Sequence, residues 1–446
     1  MKGLLEKFAN IEKHEVPAVI ASCLFFFCIL TALMVLRPAR EALGMESGLD
    51  TVRWLFIGTA LVTLAVNPVF GLLVSRFRRF TFVAATYLFF AVSLFIFYLL
   101  LTLAPESTGQ TSGRVFYVWY SVFNLFNTMV FWATMADHYS LEQSKRLFGT
   151  VAVGGTLGAV FGPWLASMLA QPFGTANLIL VSIVFLLLAV AAARSVFFFS
   201  ERQPTEVAVE NRINRDAVIG GSAWAGLKAA VQSPYLLGIC VYVLILAVVA
   251  TFLYFTRLAM VAAVGDDTDL RTTLFAQIDM ITQLSTLFLQ LIVTGHLMKR
   301  LGVPITLALL PLTVALGMIG LAIAGSLAAL VVFEAVFRAV QRAIMRPARE
   351  TLFTVVSSEE KYKAKAFIDT FVYRGGDVVG AWAESLIGRL GMGLLALSAV
   401  TIPLAVLWAG LGIWLGLQQR RITLAQDQAD REVGNPEAGQ VVPTAG

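Results

Sequence analysis

A chain of 446 residues that is 58% hydrophobic and 14% charged, with a mean hydropathy of +0.80, is far more apolar than a soluble globular chain. That balance excludes intrinsic disorder and a disulfide-stapled secreted domain, weighs heavily against a water-soluble enzyme, and makes the bilayer the expected solvent. The net charge of +5 reports orientation in a membrane protein before it reports an anionic partner.

Twelve apolar runs are predicted, at 17–36, 54–75, 81–103, 115–136, 147–169, 176–198, 235–256, 272–294, 303–324, 327–345, 366–388 and 393–416. Each approaches the roughly 20 residues that one bilayer crossing needs. The first follows Lys2, Lys7 and Lys13 but ends in Leu36-Arg37-Pro38 without a small-residue cleavage site, so it reads as a retained helix. Cys23, Cys28 and Cys240 lie inside the runs as small hydrophobes, and no disulfide, metal or cofactor framework is expected. With the N-terminus placed in the cytoplasm, 23 of the 33 Lys and Arg fall on the cytoplasmic side. Seven fall outside (Arg37, Arg40, Arg53, Arg114, Arg257, Arg271 and Arg389) and three within helices, a bias that fits the positive-inside rule. Both termini are therefore expected in the cytoplasm.

The longest polar interruption, about 200–233, includes a short surface helix predicted at 217–231 and divides the chain six helices plus six. The expected organisation is an N-terminal bundle over 1–199, a cytoplasmic linker over 200–233, a C-terminal bundle over 234–417 and a disordered tail over 418–446. That plan resembles the major facilitator transporters, whose two halves enclose a midplane site and contain inverted three-helix repeats. Internal repetition adds to it. Arg37-Pro38-Ala39-Arg40-Glu41-Ala42-Leu43 recurs as Arg346-Pro347-Ala348-Arg349-Glu350-Thr351-Leu352, the first copy expected to close helix 1 and the second helix 10. A second echo sets Glu142 to Arg146 and Gly154-Gly155 beside Glu359 to Lys363 and Gly375-Gly376, both ahead of or within the fifth helix of their half.

Charges in hydrocarbon cost about 2.5–3.5 kcal/mol each on insertion scales, so they face a cavity or a partner. Helix 10 carries Glu334, Arg338, Arg342 and Arg346 at a spacing of four, a slowly winding stripe on one face. Helix 11 adds Asp369, Arg374 and Asp377, and Asp279 stands alone among apolar residues in helix 8. One reading is a set of structural ion pairs; the other, which we favour, presents forked arginine donors to a phosphate or carboxylate. Glu41, Asp279, Glu334, Glu350, Asp369 and Asp377 are the candidates for charge pairing or proton coupling. In helix 4, Asn124 and Asn127 are expected on one face, as substrate contacts or as interhelical hydrogen-bond formers. Gly154, Gly155, Gly158 and Gly162-Pro163 in helix 5 combine close-packing residues with an expected kink. Two loops, Gly71 to Arg79 with Arg76 and Gly295 to Gly302 with Arg300, resemble a degraded major facilitator gating signature in which Ser75 and Lys299 replace the aspartate. Lys145 and Arg146 complete the candidate gating residues.

From Phe131-Trp132 onward the chain resembles one branch, the ATP/ADP translocases of plastids and intracellular bacteria. The resemblance rests on Phe131-Trp132, on Leu141-Glu142-Gln143-Ser144-Lys145-Arg146-Leu147-Phe148, on Leu36 to Leu43, on Pro347 to Thr351, and on Lys363 to Asp369 with Tyr373-Arg374-Gly375-Gly376. It implies transport of a phosphorylated anion, with Arg40, Arg349, Lys365 and Arg374 at the matching basic positions. The chain departs from that branch at Asp137-His138, which replaces an amide pair, and in using Arg where the branch has mostly Lys.

The expected protein is an all-α, twelve-helix secondary transporter of the bacterial inner membrane, monomeric, not an enzyme and with no nucleic-acid partner. It would exchange an organic anion such as a nucleotide by alternating access. Arg37, Arg40, Arg346 and Arg349 would guard the mouths, and Arg338, Arg342 and Arg374 would hold the anion. Proton-coupled export or lipid flipping is the variant within that class. A non-transporting sensor is the rival outside it, and no metal-protease or nucleotide-loop motif points that way.

Overall fold

The computed structural model describes residues 11–12, 14–76, 79–104, 106–200, 232–356, 364–365, 367–389 and 393–434. They are almost wholly helical, and the protein is an all-α membrane protein of twelve transmembrane helices. These are α1 (Val16–Met45), α2 (Leu49–Arg76), α3 (Arg79–Leu103), α4 (Glu106–His138), α5 (Leu141–Phe173), α6 (Asn177–Ser200) and α7 (Pro234–Ala262). Helices α8 and α9 share the stretch Thr268–Ala324 and part at Gly302, whose φ of 71° lies in the left-handed region that glycine enters without strain. Helix α10 is composite: Leu327–Val340, a π-helical turn at Gln341–Met345, a helical turn at Arg346–Thr351 and a tighter closing turn at Leu352–Val355. A π-helical turn at Ile368–Val372 likewise opens α11, which continues as Tyr373–Arg389, and α12 is Gly393–Gly434.

Eight of these helices are long and apolar enough to cross a membrane on those criteria alone. Among the described residues, α4, α8, α10 and α11 do not meet both criteria, α10 and α11 because their π-helical turns leave α-helical stretches of 14 and 17 residues. These four helices carry Asn127, Asp279, the arginine series and Asp377, polar groups that need neighbours to satisfy them.

Contacts divide the chain into two compact units, Met1–Ile219 with Leu253–Leu287, and Gly220–Phe252 with Phe288–Gly446. In unit 1, α1 is the axis: it is buried along most of its length, and Phe25 and Phe26 pack on Phe131 and Trp132 of α4, with the Phe26 and Phe131 rings stacked 4.0 Å apart. Gly154, Gly155, Gly158 and Gly162 let α5 lie against it. A methyl at Gly154 or Gly158 would overlap the Cys23 or Phe27 carbonyl, and one at Gly155 the Phe26 ring. In unit 2, Gly376 and Gly380 of α11 bring that helix onto Leu244, Ala247, Val248 and Thr251 of α7, while buried Trp408 of α12 packs on Tyr242. Gly375 has open space where its side chain would be.

Several expectations need correction. Neither Arg-Pro-Ala-Arg-Glu copy closes a helix at its proline: α1 runs through Pro38 to Met45, and Pro347 sits inside α10 directly after the π-helical turn. In that turn the Arg346 amide bonds to the Gln341 carbonyl five residues back, a wider ring in which a following proline fits with less clash. Residues 71–76 and 295–301 are helix ends and not loops, and the side chains of Gly71, Arg76, Lys145 and Gly295 lie outside the described residues, whereas Arg300 is exposed. The tail does not begin at 418. Helix α12 carries on to Gly434 because Leu, Gln, Arg and Ala are good helix formers whatever their polarity. The linker helix expected at 217–231 and the second echo at Glu359 to Lys363 fall outside the described residues.

Candidate functional site

Unit 2 contains a cavity of about 440 Å³ whose wall is unusually cationic. Arg338, Arg342, Arg346 and Arg349 of α10 and Arg374 of α11 all line it, with Gln341, Asp369, Tyr373, Leu246 and Met345. The four-residue spacing in α10 delivers these side chains to one side of the helix, as the sequence stripe requires. Carboxylates hold some of them. Glu334, buried one turn before, stands 3.4 Å from Arg338; Asp369 lies 3.1 Å and Glu350 3.3 Å from Arg349; Asp377 lies 3.2 Å from Arg374. Asp377 is buried and also accepts from the Thr251 hydroxyl at 3.4 Å. Among the described residues Asp369 is the acid that lines the cavity, together with five guanidinium groups. Lys365 does not line it: its ammonium is bound to Glu350 at 2.5 Å.

Unit 1 holds a second ion cluster with the opposite character. Arg37 and Arg257 each approach Asp279 at 3.5 Å, and Arg257 also lies 3.7 Å from Glu41. Glu41 binds Arg40 at 2.8 Å and accepts from the Tyr254 hydroxyl at 2.5 Å, which in turn meets the Tyr117 hydroxyl at 2.6 Å. The Arg40 guanidinium lies 3.6 Å over the Tyr117 ring. Arg257, Glu41 and Asp279 are 1%, 2% and 3% exposed, so the centre of this cluster is buried, while Arg37 and Arg40 keep 18% and 12% of their side chains exposed. Asp279 is thus not isolated, and Arg37 and Arg40 are helix-interior residues and not part of a loop. Arg257 was counted with the outer loops on sequence alone; it is a buried residue of α7, signalled only by its place one turn before the helix end. Tyr117 and Tyr254 gave no sequence signal, since tyrosines in apolar runs are ordinary.

Asn124 and Asn127 do not share a face: Asn124 is exposed while Asn127 is fully buried, its main-chain carbonyl accepting from the Tyr87 hydroxyl at 3.3 Å. Arg146 serves the other end of unit 1, where with Gln143 it binds Glu15 at 2.6–2.9 Å.

Comparison with known proteins fits this architecture. The model of the Major Facilitator Superfamily matches residues 17–340. Among solved structures, a bacterial homologue of the iron transporter ferroportin in an inward-facing state superposes with a TM-score of 0.62 at 13% identity, covering 91% of this chain and 98% of that one. A bacterial homologue of the human lysosomal transporter Spinster, inward-facing and unoccupied, gives 0.59 at 12% identity over 92% and 99%. An auto-inhibited peptide transporter of the POT family gives 0.58 at 13% over 91% and 97%. At such identities these likenesses speak to the fold. No curated protein matches the sequence.

Proposed function

The chain belongs to the Major Facilitator Superfamily, and from that premise we propose that it moves an organic, phosphorylated anion such as a nucleotide across the bacterial inner membrane by exchange. It would do so as a monomer with both termini in the cytoplasm. The observation that carries the reading is the unit 2 cavity: among the described residues, five arginines and one carboxylate line it, an excess of cations that an incoming anion would neutralise. Guanidinium forks bind phosphate or carboxylate oxygens in pairs, which a single lysine cannot do. Asp369, exposed to the cavity, competes with the substrate for Arg349, so it returns the site to balance when the anion leaves. The motif residues from Leu36 to Phe148 and from Pro347 to Gly376 support the nucleotide-exchange branch within that class.

Counterflow in proteoliposomes tests it. Vesicles are loaded with unlabelled ATP, ADP, phosphate or a sugar phosphate, and labelled uptake is followed with and without a pH gradient. Uptake that requires a loaded phosphorylated partner is the expected result. Uptake driven by the gradient alone would replace exchange with proton coupling, and no uptake of any phosphate by folded protein would overturn the substrate reading.

A further inference from the structure

Away from the arginine cavity, unit 1 has a groove of about 470 Å³ between α2, α3 and α4. Its walls are apolar: Leu55 and Val62 of α2, Phe90 of α3, and Val115, Trp119 and Val122 of α4. From Leu55 to Val62, and from Val115 to Val122, is two helical turns, so the groove runs about 10 Å along the helices. Arg114 is the charged residue in its lining. The Arg114 Nε donates to the Ser47 hydroxyl at 2.8 Å, in the turn between α1 and α2. That contact fixes the guanidinium at the level where helices leave the hydrocarbon, and among the described residues Arg114 forms no ion pair. Trp54, 64% exposed near the start of α2, marks the same end as the interfacial one.

An apolar channel at hydrocarbon depth offers water no partners, so a lipid chain is its natural filling. A cation at its mouth complements a phosphate and repels an ammonium. We propose that this groove is a binding site for an anionic phospholipid, with the phosphate on Arg114 and one acyl chain lying against Trp119. The proposal is independent of what the unit 2 cavity carries.

Trp119 reports on it directly. The full-length protein is reconstituted in phosphatidylcholine vesicles containing a minor fraction of lipid with brominated acyl chains, either phosphatidylglycerol or phosphatidylcholine. Quenching at Trp119 is the difference between wild type and Trp119→Phe. The wild type is expected to prefer phosphatidylglycerol about fivefold, the worth of one interfacial cation to an anionic lipid. Arg114→Gln should abolish the preference and Arg114→Lys keep most of it. Equal quenching by the two lipids in the wild type, or a preference unchanged in Arg114→Gln, would reduce the groove to ordinary annular lipid. Should Arg114→Gln not fold, loss of the wild-type preference in high salt serves as the same test, and a preference indifferent to salt overturns the proposal.

Discussion

Arg-Pro-Ala-Arg-Glu stands twice in this chain, and its arginines meet opposite surroundings. In α1, Arg37 and Arg40 are neutralised by Asp279 and Glu41, two buried carboxylates that also share the buried Arg257. In α10, Arg346 lines an open cavity and makes no ion pair among the described residues, while Arg349 pairs with Asp369 and shares Glu350 with Lys365. The local sequence is the same; what differs is what α7, α8 and α11 bring to it. A motif of charged residues in a membrane helix therefore states that a partner is required, and the neighbouring helices decide whether that partner is protein or ligand.

The sharpest way to break the contrast is to remove one acid from each cluster. Asp279→Asn removes the carboxylate that Arg37 shares with the buried Arg257, and breaking a buried pair costs about 3–5 kcal/mol. Asp369→Asn acts on a half-exposed pair and should cost about 1 kcal/mol or less. Thermal unfolding in detergent should show a large drop for the first and little for the second; equal drops would mean that the unit 2 arginines are structural as well. Next in size is Arg342→Gln, which withdraws one charge-assisted contact to the anion. It should raise KM by about 10–150-fold, the equivalent of roughly 1.5–3 kcal/mol. Unchanged transport would remove Arg342 from the site. Arg346→Lys keeps the charge and loses the fork, so a milder rise in KM, about two- to tenfold, is expected from counterflow titrations. A loss as large as that of Arg342→Gln would show that geometry and not charge governs that position.

Much of this was legible in the sequence. Hydropathy counted the helices, because apolar length in a bilayer leaves few alternatives. The stripe Glu334, Arg338, Arg342, Arg346 was readable because a four-residue spacing and the cost of burial force one face and one cavity. Arg257 with Tyr254 was not, since what matters there is proximity between α1, α4, α7 and α8, and no local spacing encodes it. Nor was the fate of Pro38 and Pro347: a proline weakens a helix locally, but packing and a π-helical turn carried both helices through. Asn124 and Asn127 illustrate the limit of face arithmetic, because three residues leave a 60° offset that packing turned into one exposed and one buried amide.

The smallest expected effect concerns Glu15, which precedes α1 in unit 1. Glu15 loses stability to its own burial, yet the Glu12 amide, Arg146 and Gln143 together hold its carboxyl below the ordinary 4.5. A carboxyl whose folded value lies below its unfolded one stabilises the fold above the unfolded value and loses that stabilisation as pH falls through the folded one. Glu15 should therefore contribute fully above about pH 4.5 and fade below it. Unfolding temperatures followed from pH 6 to pH 3 (a range of about three units around the carboxyl value) should then flatten in Glu15→Gln relative to the wild type. An unchanged profile would mean that the clamp Glu15 forms between α1 and α5 is slack.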